Sequence, residues 1–433
     1  MRYNLMGNCR VTTLPNGLAV VTSPIEQSQC VAMGIFVATG GRYETAAQSG
    51  SSHFLEHMLF KGTKRRSALE ITQAIEGRGG AMNAYTGADD TCFFLRMPHE
   101  YLKLGVDILS DMYLDAVIDP VEFARERDVI LEEIKMYDDQ PSQVCQEAFE
   151  KLVFKNHPLG APLSGSEKTL MPMTAETLLA YKRSHYVPGA TVFAFSGHVE
   201  HEACVDAVAK LLGDMPAAPV PTFRKVTGKT PIGRVSVIRR EVAQTQSVFG
   251  FRMFGWREDP YRRAVAYVLR CLLGDNMSSR LFQKVRERRG LCYSISAVTQ
   301  LFEETGFIAF PTGTDSRKTA SALRLIAEEL RRVKVKRVGP SELKRAKEYL
   351  IGGARLSLES PMSQLIRVGE HYLYNRALPD IQRRLDDYAR VTAEDVQAMA
   401  NELFNPDRLA LSLVVPKEQP ESEAQWLETL KGI

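Results

Sequence analysis

The chain has 433 residues, of which 44% are hydrophobic and 25% charged, and its 55 basic and 52 acidic residues give a net charge of +3. This composition is typical of a globular protein and excludes the disordered, fibrous and disulfide-scaffold classes, while the nearly balanced charge disfavours nucleic-acid binding. No apolar run approaches the roughly 20 residues that span a bilayer, so we expect no membrane-spanning segment and no membrane partner.

The cysteines and the N-terminal residues both bear on location. The seven cysteines are odd in number, and no two of them lie within four residues of each other. Such spacing offers neither a zinc ribbon nor a CxxC redox pair, and unpaired thiols fit a reducing compartment. No long apolar stretch follows Met1, so we expect no signal peptide. Together these features predict a cytoplasmic, bacterial protein.

The first half opens on a predicted hairpin whose turn is Pro15-Asn16-Gly17. Its predicted strands cover residues 10–14, 17–22, 30–38, 81–86, 91–97 and 191–196. Its predicted helices cover residues 50–61, 67–77, 99–116, 121–138 and 200–213.

The second half repeats this order of elements. Its predicted strands cover residues 233–238, 246–252, 292–298, 305–312 and 408–415. Its predicted helices cover residues 260–273, 277–289, 316–334 and 340–353. Corresponding strands are separated by about 215 residues, half of the chain, which indicates an internal duplication.

This duplication predicts an α+β protein of two homologous α/β domains, each a mainly antiparallel sheet covered by helices. The first domain is expected to cover residues 1–214 and the second residues 231–433. The proline-rich residues 215–230 between them are typical of a stiff, extended linker.

A candidate metal site lies in the first predicted helix, where His53, Glu56 and His57 are spaced as HxxEH. These three side chains share one helix face at about 100° per residue, whereas Leu55 and Met58 fall on the opposite face. Two histidines four residues apart can direct their imidazoles at one zinc ion, and the carboxylate between them can take a proton from a water that the ion activates. In the alternative interpretation, the histidines are core residues of a buried helix without a metal.

A catalytic zinc site needs a third protein ligand from elsewhere in the chain. The predicted helix over residues 121–138 carries Glu126 and Glu133 two turns apart on one face, so either could face the histidines. The alternative is a solvated acidic helix face. The second half offers no equivalent site, because the residues at the matching offset, Val268–Leu272, contain no histidine.

These motifs together resemble the pitrilysin or insulinase family of zinc metallopeptidases. The resemblance rests on His53–His57, on Glu133 in a Glu-Arg-x-Val-Ile-Leu-x-Glu context, on Asn83–Thr86 and on His157–Gly160. It covers the whole chain and is closest to the bacterial members of the mitochondrial-processing-peptidase-like branch. As that family implies, the two domains would form a clam-like shell.

The resemblance also implies roles for residues of the first half. His53, His57 and Glu133 would hold one Zn²⁺ per chain, Glu56 would be the catalytic base, and Glu126 would support the site without binding the metal. Asn83 and Ala84 match positions that hold the substrate as an added β-strand, a mode of binding that reads the peptide backbone.

In the second half, Arg286 and Tyr293 match a family pair that contacts substrate carbonyls. Such donors could stabilise the oxyanion of a tetrahedral intermediate. An ordinary basic helix end is the alternative, since Lys284, Arg288 and Arg289 lie nearby.

We therefore expect a zinc metalloendopeptidase that hydrolyses short or unfolded polypeptides as a homodimer, with a heterodimer as the other possibility. The competing hypothesis is a non-catalytic or partner-dependent subunit of a heterodimeric processing peptidase.

Overall fold

The computed structural model describes residues 8–229, 232–431 and 433. The predicted start of the second domain, residue 231, lies outside the described residues. In chain order, the strands are β1 (Arg10–Thr13), β2 (Ala19–Pro24), β3 (Cys30–Val37), β4 (Ala81–Thr86), β5 (Thr91–Pro98), β6 (Thr191–Gly197), β7 (Val235–Arg240), β8 (Thr245–Phe254), β9 (Cys292–Ile295), β10 (Val298–Leu301), β11 (Thr305–Thr314) and β12 (Leu409–Pro416).

The helices cover the intervening segments. In chain order, they are α1 (Ser51–Leu59), α2 (Ala68–Glu76), α3 (Leu102–Asp115), α4 (Pro120–Asp138), α5 (Pro141–Val153), α6 (Glu167–Leu170), α7 (Ala175–His185), α8 (His201–Leu212), α9 (Pro260–Gly274), α10 (Thr319–Val335), α11 (Pro340–Leu356), α12 (Pro361–Asn375), α13 (Ile381–Arg390), α14 (Ala393–Leu403) and α15 (Glu423–Glu428).

The first sheet has the strand order β1-β2-β6-β3-β5-β4. The β2–β6 pair is parallel and the other pairs are antiparallel. Its central strands β3 and β6 are apolar on both faces, and nearly every residue in them is buried. Continuous burial of this kind requires helices on both faces of the sheet, rather than one face open to water.

The second sheet repeats this plan with the order β10-β11-β8-β12-β7, and β9 pairs with β11. Here too one pair, β12–β7, is parallel, and it occupies the place of β6–β2 in the first sheet. Shared strand order and a shared parallel pair confirm two homologous sheet-and-helix domains.

The chain divides into two compact units, of which the first comprises residues 1–134, 162–224 and 355–382. The second comprises residues 135–161, 225–354 and 383–433. These units differ from the predicted domains 1–214 and 231–433. One helix from each half of the sequence packs in the unit that is formed mainly by the other half, and we call these two the exchanged helices.

The exchanged helices each cover one sheet face. Helix α12, from the second half, packs on β2, β3 and β6 of the first unit, and Phe36 lies against Gly369. Helix α5, from the first half, packs on β8 and β12 of the second unit. Each helix buries an apolar stripe that is evident from the sequence, but the stripe does not reveal which sheet it will cover.

Two predicted elements of the second unit differ from the structure. The segment predicted as a helix over 277–289 begins with a turn and continues as the π-helical segment Phe282–Glu287. The strand predicted over 292–298 is split into β9 and β10. No helix within the described ranges is long and apolar enough to cross a membrane.

Candidate metal centre

Helix α1 presents a polar face above an apolar one. Gly50, at φ +96°, precedes its first residue, and the carboxylate of Glu44 accepts hydrogen bonds from the N–H groups of Gly50 (2.8 Å) and Ser52 (2.6 Å). A carboxylate at this end of the helix satisfies N–H groups that have no partner within the helix and interacts favourably with the helix dipole. Phe54 and Met58 are fully buried on the core face. The orientation of α1 is thereby fixed.

The polar face of α1 meets Glu133 of helix α4. Glu133 Oε2 lies 3.8 Å from His53 Nε2 and 3.6 Å from His57 Nε2. The candidate ligand atoms of these three residues all lie within 4.8 Å of one another. In a tetrahedral zinc site with bonds of about 2.1 Å, ligand atoms are separated by roughly 3.4 Å, so this spacing suits zinc after small adjustments. Across the part of the chain that the structure describes, no other such group of three is found.

Glu126, the other candidate on α4, contacts the opposite nitrogen of His57. Its carboxylate lies 2.8 Å from His57 Nδ1 and 2.5 Å from Lys61 Nζ. Burial favours a higher pKa for Glu126, but hydrogen bonds from His57 and Lys61 outweigh it and lower the pKa below its ordinary value. An ionised Glu126 can only accept, so Nδ1 of His57 carries the proton and Nε2 directs its lone pair toward the candidate metal position.

His53 is held in the protonation state that a metal requires. Burial, reinforced by repulsion from His57, lowers the pKa of His53 to about 4 despite the opposing charge of Glu133. The imidazole is therefore neutral near neutral pH, as metal ligation demands. Two imidazoles and one carboxylate form a donor set that zinc prefers, so the residues present fit the ion.

Glu56 lies on the same face of α1 and contacts the first sheet. Thr86, at the end of β4, donates a hydrogen bond of 2.5 Å to Glu56 Oε2. Burial raises the pKa of Glu56 above its ordinary value, and this hydrogen bond acts in the opposite direction. The sequence assigns no role to Thr86, the last residue of the Asn83–Thr86 motif, or to Lys61, since neither belongs to a metal-binding motif.

Asn83 and Ala84 lie on β4, the outermost strand of the first sheet. β4 pairs with β5 on one side, with Ala84 opposite Phe93, and no other strand of the described chain pairs with its outer side. The N–H of Ala84 donates to the side-chain oxygen of its own neighbour Asn83 at 2.8 Å. The outer side of β4 thus offers backbone groups to an added strand.

Arg286 and Tyr293 belong to the second unit, where they lie side by side. Arg286 is in the π-helical segment, with its guanidinium carbon 5.8 Å from the centre of the Tyr293 ring and 4.6 Å from that of Phe282. Tyr293 is 77% exposed. Lys284 of the same segment is tied to the buried Glu329 at 2.6 Å, which limits the movement of this part of the chain.

Family models match most of the sequence. Residues 19–167 match the model described as insulinase (peptidase family M16), and residues 172–350 match that of the peptidase M16 inactive domain. An uncharacterized zinc protease of Mycobacterium leprae is 36% identical over 407 residues, covering 92% of this chain and 90% of that protein. The chain belongs to peptidase family M16. The resemblance to the pitrilysin or insulinase family that its motifs indicated is confirmed.

A second relative and a solved structure are also similar to this chain. An uncharacterized zinc protease of Bacillus subtilis is 33% identical, with coverage of 93% of this chain and 97% of that protein. The crystal structure of a protease from Helicobacter pylori matches at a TM-score of 0.86 and 21% identity, covering 94% of this chain and 99% of that one. At this identity the likeness establishes the shared fold. The names of the sequence relatives place the chain in a group of zinc proteases.

Proposed function

We propose that this M16 protein is a zinc metalloendopeptidase that hydrolyses peptide bonds in short or unfolded polypeptides. The convergence of His53, His57 and Glu133, with Glu56 beside them on the same helix face, carries the proposal. His53 and His57 would hold the ion through Nε2 and Glu133 through its carboxylate, with one ion per chain. A bound zinc ion would polarise the scissile carbonyl and lower the pKa of a water molecule.

Glu56 is the proposed general base. The pKa of Glu56 is raised toward neutral pH. A carboxyl group with such a pKa can both accept a proton and return it efficiently. Glu56 would take a proton from the attacking water and deliver it to the leaving amine as the C–N bond breaks. Thr86 holds one carboxylate oxygen of Glu56, so the hydrogen bond fixes the direction in which Glu56 can receive that proton.

The substrate is proposed to lie along the outer side of β4. Ala84 would exchange its internal hydrogen bond with Asn83 for bonds to the peptide backbone, and the Asn83 side chain would be freed to contact the peptide. Backbone recognition suits extended chains of varied sequence. We further propose that Arg286 and Tyr293 donate hydrogen bonds to substrate carbonyls during the reaction.

We propose a cytoplasmic enzyme that acts as a homodimer. One chain carries both the metal-binding set and the Arg286–Tyr293 pair, so no second kind of subunit is needed to supply either. Gel filtration with light scattering should give twice the 48.4 kDa of one chain. A monomer, or co-purification with a different subunit, would contradict this part of the proposal.

Zinc content tests the ligand set. Glu133→Gln should strongly reduce bound zinc, because a neutral amide is a poor replacement for a carboxylate ligand. Glu132→Gln is the matched control, since Glu132 is the exposed neighbour in the same helix. Equal zinc content in the two variants would refute the assignment of Glu133.

Activity can be tested with a mixed peptide pool, incubated with and without a chelator and analysed by mass spectrometry. Chelator-sensitive internal cleavage is expected. Intact peptides in the presence of stoichiometric zinc would favour the non-catalytic or partner-dependent subunit.

A further inference from the structure

A cluster of acidic and phenolic groups lies behind the outer strand β4. Tyr85 sits between Ala84 and Thr86, and because side chains alternate along a strand it points to the opposite face from Thr86. Its hydroxyl lies 3.0 Å from Asp90 Oδ2, in the turn before β5, and 2.8 Å from Glu370 Oε1 on α12. All of these residues belong to the first unit.

The two contacts of the Tyr85 hydroxyl cannot both be hydrogen bonds if Asp90 and Glu370 are both ionised. A tyrosine hydroxyl has one proton and can donate to only one acceptor at a time. The other short contact then needs a carboxylic acid that donates to the phenol oxygen. The second oxygen of Asp90 is already engaged, because the Tyr374 hydroxyl donates to Oδ1 at 2.6 Å.

Burial and like charge both favour retention of that proton. Burial first, and then repulsion from Glu370, raise the pKa of Asp90 to about 7. Burial likewise raises the pKa of Glu370 above its ordinary value. Two carboxylates this close to one phenol cannot both ionise cheaply in a buried site.

The other titratable and charged groups near Asp90 and Glu370 come from the neighbouring strands and from α12. Cys92 of β5 and Tyr374 of α12 are neutral, since burial raises the pKa of each well above its ordinary value. Asp89 is paired with the buried Arg42 at 2.7 Å. The side chains that β2, β3 and β6 bury against α12 carry no charge. Ser23 of β2 donates a hydrogen bond to Gln364 of α12 at 2.5 Å. The apolar ones are Ala19, Val21, Ala32, Phe36, Val192 and Ala194.

We propose that Asp90 and Glu370 share one carboxylic proton on either side of the Tyr85 hydroxyl, and that the resulting hydrogen bonds hold strand β4, the proposed peptide-binding edge, against helix α12. The inference rests on the proposed function for the identity of the ligand. The three side chains are positioning residues: they hold Ala84 at the outer edge and Thr86 against Glu56 from behind. Loss of this proton would leave two carboxylates that repel each other across Tyr85. The contact between β4 and α12 would then weaken, and β4 would become more mobile.

Steady-state kinetics between about pH 6 and about pH 8.5 test this role. Glu370→Gln keeps a donor and cannot ionise, Tyr85→Phe removes the shared hydroxyl, and Glu359→Gln changes an exposed carboxyl near the start of α12 as the matched control. In wild type and the control, KM should rise at least about threefold across this range, whereas in Glu370→Gln it should stay within about twofold. Tyr85→Phe should raise KM at every pH, with zinc content little changed.

Hydrogen exchange of residues 81–86 gives a readout that does not depend on cleavage. After correction for the intrinsic pH dependence of exchange, wild-type protection should fall as pH rises, and protection in Glu370→Gln should not. Absence of cleavage by the zinc-loaded wild type would overturn the proposed function while this comparison still decides the inference. Identical pH dependence of exchange in wild type and Glu370→Gln would refute the shared proton.

Discussion

Glu126 offers a sharp test of how α4 supports the candidate metal centre. It does not share the position of Glu133, yet it is buried and accepts hydrogen bonds from His57 Nδ1 (2.8 Å) and Lys61 Nζ (2.5 Å). Replacing it should therefore weaken zinc binding without removing a ligand. The expected loss of zinc affinity depends on how much of the hydrogen bond to His57 each replacement retains.

Glu126→Gln retains an acceptor for His57 but loses the negative charge, so zinc affinity should fall by about 10-fold, the low end for groups that orient a ligand. Glu126→Leu removes the acceptor as well and leaves the ammonium of Lys61 without its carboxylate. Its affinity should fall by about 100-fold, which corresponds to about 2.7 kcal/mol. Glu133→Gln should lower zinc affinity more than either variant, because it removes a ligand.

Competition with a chromophoric chelator measures these affinities, and Asp128→Asn, an exposed site on the same helix, is the matched control. Each variant should retain its helical circular dichroism. Wild-type zinc affinity in Glu126→Leu would refute the argument that Glu126 orients His57. A loss in Glu126→Gln as large as that in Glu133→Gln would make Glu126 a ligand and contradict the geometry.

Three further predictions concern the base, the metal and a buried lysine. Thr86→Val removes the hydrogen bond to Glu56, so kcat for a peptide should fall about 10-fold at unchanged zinc content; an unchanged kcat would show that Glu56 needs no support from β4. Chelation should lower the thermal midpoint of wild type, because an ion that binds only the folded state stabilises it, while Glu133→Gln should respond little; equal shifts in scanning calorimetry would contradict the site. Lys182 is buried, donates to the Leu114 carbonyl at 3.0 Å, and burial lowers its pKa to about 8. The unfolded chain then binds more protons between about pH 8 and about pH 10.5, so the free energy of unfolding should rise with pH there by up to about 3 kcal/mol, and urea titrations of Lys182→Met should lack this rise.

Much of the fold follows from local sequence patterns. β6 is an apolar run ended by glycine, and α1 carries its buried side chains at helical spacing, so both were predicted within about two residues of their observed ends. The π-helical segment Phe282–Glu287 was not predicted, because its buried residues Phe282 and Val285 are also spaced as in an ordinary helix turn.

The exchange of α5 and α12 could not be read from the sequence. An amphipathic pattern shows that a face will be buried and gives no information about which sheet buries it. Steric fit determines which sheet buries the face. Gly369 has no side chain and so leaves room for the ring of Phe36, a contact between residues far apart in the chain.

The candidate site shows the same division between local and long-range information. The HxxEH spacing identified the face of α1, but Glu126 and Glu133 were equivalent by periodicity, since both lie on one face of α4. The family resemblance assigned them different roles, and in the structure Glu133 lies near Nε2 and Glu126 near Nδ1 of His57. Thr86 was missed because a threonine at the end of a strand carries no local signal of contact with Glu56.

The central claim is tested most directly by comparing Glu56→Gln with wild type at equal zinc content, using mass spectrometry to count cleaved peptide bonds. Glu56 contributes no ligand to the proposed site, so the variant should keep its zinc and lose about 10²-fold to 10⁴-fold in cleavage rate, the contribution of a general base. Equal cleavage rates in the two proteins, or no cleavage by zinc-loaded wild type, would contradict the account.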